Sequence, residues 1–272
     1  MSKHKLTPRE IEQWIPRRLS DFVGCEEAIK IIANHLRNGY IGTNFFIEGE
    51  TGSGKTTLIE VATRTLFCPN VTDPLAGPCW NCRECRDFDF ANREEGLFAE
   101  MKPKAVNSGT CTSFFHVNCY ELDLAGVREL RSVVNEFHAD RTIIYLDEVQ
   151  CLGGTQAEGV LLKAIRELDA VWIASGITSD VLSPMFVRRF AARCTTSLPK
   201  IGQIATFVQE RCVEWEIEWD KNETIVLLSE CCKGIIAECI SVLALAAANE
   251  RKLTEELVKG YRFVQGVRKM DQ

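Results

Sequence analysis

Gly49 to Thr57 reads GETGSGKTT and fits the pattern G-x-x-x-x-G-K-[ST]. That is chemistry for a polyphosphate. Phosphate oxygens need many donors close together, and a backbone without Cβ atoms at Gly49, Gly52 and Gly54 can wrap them. Glu50, Thr51, Ser53 and Thr57 complete the loop. Lys55 would reach the β- and γ-phosphates, and the Thr56 hydroxyl would sit on Mg²⁺. Asp147 and Glu148 close an uncharged run, where Asp147 would hold Mg²⁺ through water and Glu148 would orient or deprotonate the attacking water. A second constellation is Cys68, Cys79, Cys82 and Cys85, spaced C-x10-C-x2-C-x2-C. Two residues between cysteines make a tight knuckle that aims both thiolates at one ion, and four thiolates close a tetrahedral zinc site. Such a site has no position for water, so its role should be structural. Cys111 is a weaker candidate for one of the four places.

Several further side chains come into consideration. Ser175 could touch a γ-phosphate or the water, or be an ordinary satisfied loop serine, and Thr178 is the fallback. Arg188 and Arg189 are either solvated charges or a finger presented to a neighbour's γ-phosphate, where a cation neutralises transition-state charge. His116 and His138 show no partner pattern and read as ordinary.

These residues need elements that bring them together. Asn44 to Glu48 reads as a strand before the glycine loop, and Thr57 to Phe67 as a helix after it. Strand, loop, helix is the order that lets a helix N-terminus hold an anion. Met1 to Pro16 reads as a loose entry with a short helix. Ile29, Ile32, Ala33 and Leu36 form a helical stripe. The stretch from Cys85 to Gly109 reads as a long loop. Strands are expected at Ser113–Cys119, Thr142–Leu146, Ala170–Ala174 and Ala192–Leu198. Helices are expected at Leu124–Phe137 and Ala157–Leu168, with a short helical segment over Val181–Phe190. Thr142–Leu146 is apolar throughout, as a central parallel strand would be, and ligands in such sheets gather at strand carboxyl ends. Beyond Pro199 strand signals stop and four helical periods follow. The expected fold is α/β, a parallel sheet with helices on both faces at 1–198, a cysteine module inserted at about 68–111, and a small all-helical unit at 199–272.

Composition narrows the classes. The 272 residues carry 46% hydrophobic and 26% charged residues, as in an ordinary soluble core-forming chain. The net charge of −6 excludes a globally basic nucleic-acid binder. No apolar run is long enough to span a membrane and no export signal opens the chain, so a cytoplasmic protein is expected. In a reducing compartment its 13 cysteines favour metal ligation over disulfides.

Together the motifs resemble the AAA+ ATPases, and within them the bacterial clamp-loader ATPase subunits (gamma/tau), over roughly residues 15–265. RRLSDFVGCEEAI is similar to the family's adenine-side segment, which brings Val23 to the nucleotide. GETGSGKTT matches Walker A, IIYLDEVQCL Walker B, VWIASG the sensor-1 strand and LSPMFVRRF the arginine-finger segment, with Arg189 at the finger. A cysteine module right after the P-loop helix also fits that group. The resemblance implies an ATP- and Mg²⁺-dependent switch with a helical lid. It implies self-association or assembly with related AAA+ subunits, and a DNA-associated partner such as a sliding clamp. A transposon or defence regulator that assembles on DNA, acting with a transposase or effector, is the alternative, as is a nucleotide-binding scaffold with little turnover. Two departures stand out. The family's lid arginine lies three residues after a glycine, and here Gly234 is followed at that place by Ala237. No collar domain is expected within the 272 residues. Arg193-Cys194 resembles the family's Arg-Cys pair but falls late and reads as part of the last strand.

Overall fold

An uncharged run such as Thr142–Leu146 can be buried only if helices cover both faces of its sheet. The computed structural model describes residues 6–37, 44–87, 98–101, 112–136 and 141–263. Cys111, His138, the expected turn at 39–43 and the chain past 263 lie outside them. The strands are β1 (Phe45–Gly49), β2 (Phe98–Met101), β3 (Thr112–Asn118), β4 (Arg141–Asp147), β5 (Val171–Gly176), β6 (Ala192–Thr196), β7 (Glu218–Trp219) and β8 (Lys252–Leu253). The helices are α1 (Pro8–Glu12), α2 (Glu26–Arg37), α3 (Lys55–Phe67), α4 (Arg83–Asp87), α5 (Leu124–Glu136), α6 (Gln156–Glu167), α7 (Pro184–Val187), α8 (Ile201–Glu214), α9 (Asn222–Cys231), α10 (Ile236–Ala248) and α11 (Glu255–Gly260).

The main sheet has the order β2-β3-β4-β5-β1-β6. Strands β3, β4, β5, β1 and β6 run parallel to one another. The order reverses between β1 and β5, which opens a crevice at their carboxyl ends. On one face Ile32, Leu58 and Ile59 of α2 and α3 pack with Ile47, Ile143, Tyr145 and Ile173. On the other, Leu130, Leu161 and Phe186 of α5, α6 and α7 meet Phe46, Ile144, Leu146 and Trp172. Alternate residues of β4 thus enter opposite cores, as the strand period of two requires.

Two stretches differ from expectation. Part of the presumed loop between Cys85 and Gly109 forms β2, which pairs antiparallel with β3 from Phe98↔Val117 to Met101↔Phe114. It satisfies an edge of β3 that would otherwise present unpaired N–H and C=O groups. The C-terminal region is not wholly helical either: β7 and β8 pair in parallel through Glu218↔Lys252 and Trp219↔Leu253. That pair ties the chain before α9 to the chain before α11, where Leu253 is fully buried.

The C-terminal helices bury their own cluster, including Ile204, Phe207, Trp215, Leu228 and Leu243. α1, which the division at 198/199 assigns to the first unit, packs into this cluster through Ile11. Thr7 caps α1, its side chain accepting from Glu10 N. Trp14 then lies 5.7 Å from the Phe207 ring and 6.1 Å from the Trp215 ring.

Asn44 joins three strands at the amino end of the sheet. Its Oδ1 accepts from Trp172 N at 3.0 Å, and its Nδ2 donates to Arg189 O at 3.0 Å. Asn44→Ala should destabilise the fold by about 1–2 kcal/mol, two bonds at roughly 1 kcal/mol each. Denaturant unfolding should show a lower midpoint at constant slope, and an unchanged midpoint would show that these bonds contribute nothing.

Candidate functional site

The loop from Glu50 to Gly54 leaves β1 and enters α3 at Lys55. Gly54 takes φ 83°, a left-handed conformation that starts the helix without Cβ strain. Gly49 is needed for a different reason: a Cβ there would lie 2.1 Å from Thr196 Oγ1. Thr196 instead shares a 2.7 Å hydrogen bond with Ser53 Oγ, so β6 braces the loop from below. Glu50, Thr51 and Gly52 are exposed at the crevice.

Lys55 is buried, and its Nζ donates to Gly49 O at 2.8 Å and Glu50 O at 3.1 Å. Burial lowers its pKa, while the charges of Glu148 and Asp147 oppose that shift. The ammonium is therefore held inside the loop by carbonyls that a bound anion would replace.

Asp147 ends β4 next to this lysine. Its Oδ1 accepts from Ser175 Oγ at 2.6 Å, from the Tyr145 hydroxyl at 2.8 Å and from Glu148 N at 3.1 Å. Its Oδ2 lies 3.6 Å from His116 Nε2. Burial by itself would raise the carboxyl, but hydrogen bonds from His116, Ser175 and Tyr145 and the charge of His116 bring it down to about 2. The group is an anion at any working pH. Glu148 follows in a left-handed turn, φ 57°. Its Oε2 accepts from Gln150 Nε2, and Gln150 Oε1 accepts from Ile177 N at 3.2 Å. Gln150 thereby links this carboxylate to the chain leaving β5.

Ser175 is fully buried, and its hydroxyl is engaged by Asp147 and by Tyr145 at 2.9 Å. Thr178 accepts from Asp180 N at 3.2 Å and serves its own turn. Arg188 and Arg189 are exposed. The Arg189 backbone sits at the amino end of β1, bonded to Asn44, a full strand length of roughly 15 Å from the glycine loop. Arg193 and Cys194 lie within β6.

Phe22 and Val23 face different cores. Phe22 packs with α2 and α3 and would meet a Cβ on Gly54 at 3.7 Å, whereas Val23 packs against the C-terminal cluster. Val23 also lines a cleft of about 440 Å³ between this segment and α8, with Trp14, Phe207 and Arg211. Ile235 approaches Gly52 from the other side, and Ala237 is exposed at the start of α10.

The sulfurs of Cys68, Cys79, Cys82 and Cys85 all lie within 4.8 Å of one another. The Cys68–Cys82 and Cys79–Cys85 separations are 3.9 and 4.0 Å. A tetrahedron of zinc–sulfur bonds has edges of about 3.8 Å, so the set is compatible with zinc. Backbone N–H groups of Cys79, Cys82 and Cys85 point at Cys68, Cys79 and Cys82 sulfurs at 3.2–3.4 Å. Hydrogen bonding, chiefly from Asn70, brings the Cys79 thiol down to about 6, and burial pushes Cys82 up to about 11. The knuckle docks on α3 through Arg64, which donates to Cys85 O and stacks 4.4 Å from the Trp80 ring. Trp80 Nε1 donates to Arg17 O at 2.8 Å, which fastens the entry segment to the knuckle.

Sequence reasoning missed His116, Tyr145, Gln150 and Trp80. Tyr145 was detectable: two residues before Asp147 it shares a face, and a hydroxyl within a buried strand needs a partner. His116 was not, because its place opposite Tyr145 depends on strand order.

The described arrangement can hold a polyphosphate and a hard divalent cation. It offers a buried lysine, a loop of backbone donors at a helix start, a threonine hydroxyl and an ionised carboxylate. A family model described as "DNA polymerase III, delta subunit" matches residues 24–178, more than half of the chain. The chain belongs to that family. The DNA polymerase III subunit gamma/tau of Mycoplasma pneumoniae is 22% identical over 242 residues, 85% of this chain and 31% of that protein. The subunit gamma of Buchnera aphidicola subsp. Baizongia pistaciae is 28% identical over 227 residues, 80% of this chain and 49% of that protein. This DNA polymerase III family chain thus spans 31% and 49% of the length of those two relatives. Among solved structures, the Thermotoga maritima RuvB Holliday junction branch migration motor aligns with TM-score 0.60 and 14% identity, over 90% of this chain and 70% of that one. That likeness supports the AAA+ fold. No described helix is long and apolar enough to cross a membrane.

Proposed function

We propose that the chain binds ATP with Mg²⁺ and hydrolyses it, as a nucleotide switch in a cytoplasmic, DNA-associated assembly of clamp-loader type. The observation that carries this reading is the convergence of Lys55, Asp147 and Glu148 at the carboxyl ends of β1 and β4, with Asp147 kept ionised. Backbone groups of 50–54 and Lys55 take the phosphates, and Phe22 and Val23 take the base side. Thr56 and Asp147 hold the cation, which supplies charge neutralisation on the phosphates when bound. Glu148 orients the water, with Gln150 setting its starting position. Ser175 acts through Asp147, since its hydroxyl is turned to that carboxylate. The helices of 199–272 act as a lid, and α1 moves with them.

Arg189 belongs to a different site. Its position at the amino end of the sheet puts it beyond reach of its own glycine loop, so we assign it to a neighbour's nucleotide. Ala237 offers no charge where the resembled lid has one, which makes a cation delivered in trans more important. A head-to-tail contact of this type closes into a ring or continues as a helix. A sliding clamp is the partner class that the gamma/tau relatives favour.

The cysteine site is assigned to one structural zinc, which holds Trp80 and through it the segment from Arg17 to Val23. Elemental analysis of protein purified without chelator should give about one zinc per chain. A folded metal-free preparation, or a disulfide among the four cysteines, contradicts this.

Lys55→Ala should abolish ATP binding. Glu148→Gln should bind ATP normally and lose about 10²–10⁴-fold in turnover, because shape is kept and the base is removed. Wild-type turnover in Glu148→Gln would show that Glu148 does not act on the water. Arg189→Ala should bind ATP but hydrolyse it poorly, and added Lys55→Ala protein, which keeps Arg189, should restore part of the activity. No restoration, together with specific activity that is constant on dilution, would mean that no site is shared.

A further inference from the structure

Tyr145 stands beside the candidate cation ligand Asp147, and its hydroxyl touches that carboxylate. It is fully buried in β4, two residues before Asp147 and on the same face. The hydroxyl donates to Asp147 Oδ1 at 2.8 Å and lies 2.9 Å from Ser175 Oγ, which donates to the same oxygen. Behind it, the His116 ring stacks on the Tyr145 ring at 4.8 Å and 14°. The two residues are direct partners in the β3–β4 register.

We propose that Tyr145 is a positioning residue for the cation: one buried phenol sets the orientation of Asp147 before any ion arrives. This rests on the Mg²⁺–nucleotide reading above. The phenol has one proton of its own, and Asp147 receives it. At Asp147 the three donors from Tyr145, Ser175 and Glu148 N all fall on Oδ1, which fixes the plane of the carboxylate. His116 holds the tyrosine ring in the plane that makes this geometry possible. A leucine or phenylalanine would bury as well at position 145, so core packing alone does not account for the hydroxyl.

Outer hydrogen-bond partners of metal ligands typically change metal affinity by about 10–100-fold when removed. The test is Tyr145→Phe, which keeps the ring, its volume and its stack on His116. ADP is titrated calorimetrically into both proteins, with Mg²⁺ and in magnesium-free buffer. No chelator is used, because it would compete for the cysteine site. Wild type should bind ADP more tightly with Mg²⁺. Tyr145→Phe should lose about tenfold of that Mg²⁺-dependent gain, with metal-free affinity unchanged and a melting temperature close to wild type. An undiminished gain overturns the proposal, as does an equal loss in both buffers, which would mark a general defect of the core. A wild-type affinity indifferent to Mg²⁺ overturns the nucleotide reading itself, and this inference with it.

Discussion

Asp147 must stay charged at a place largely hidden from water. Removing a carboxylate from water costs several kcal/mol unless donors replace the lost hydration. Here the replacements come from three neighbouring strands: His116 from β3, Tyr145 from β4 and Ser175 from β5. The donors therefore reach the carboxylate only when β3, β4 and β5 are in register, and a one-residue slip would turn them to the opposite face. Its charge then acts on Lys55, where with Glu148 it opposes the effect of burial. The anionic Asp147 and Glu148 thus help keep Lys55 charged in a poorly hydrated crevice, and the glycine loop is arranged around them.

The periphery holds that crevice from both sides. The cysteine knuckle grips α3 through Arg64 and the entry segment through Trp80. The entry segment then divides, with Phe22 on the α/β core and Val23 on the C-terminal helices. Ile235 approaches Gly52 from those helices, so the glycine loop also touches the C-terminal part of the chain. A ligand in the crevice would act on both parts at once, which is the property required of a nucleotide switch.

Much of this was legible in the sequence because it depends on local pattern. The glycine loop needs its neighbours in chain order, and GETGSGKTT stands between a strand and a helix as expected. The four clustered cysteines converge because their knuckle is local, with three N–H···S bonds inside it. What escaped depends on long-range pairing. His116 and Asp147 are joined only by the β3–β4 register, and Gln150 meets Ile177 across 27 residues. β2 and the β7–β8 pair form because open edges and buried backbone needed partners, a tertiary demand that a four-residue or two-residue segment does not display. Ser175 was found but its direction was not: the hydroxyl faces Asp147, which no spacing rule reveals.

The central claim is that the carboxyl ends of β1 and β4 form one cation-and-nucleotide site built on Asp147. The most direct measurement is electron paramagnetic resonance of Mn²⁺, substituted for Mg²⁺, with and without ADP, in wild type and in Asp147→Asn. The account predicts one bound Mn²⁺ per chain that requires nucleotide and is lost or greatly weakened in Asp147→Asn. Mn²⁺ binding that ignores nucleotide, or that survives Asp147→Asn unchanged, would contradict it.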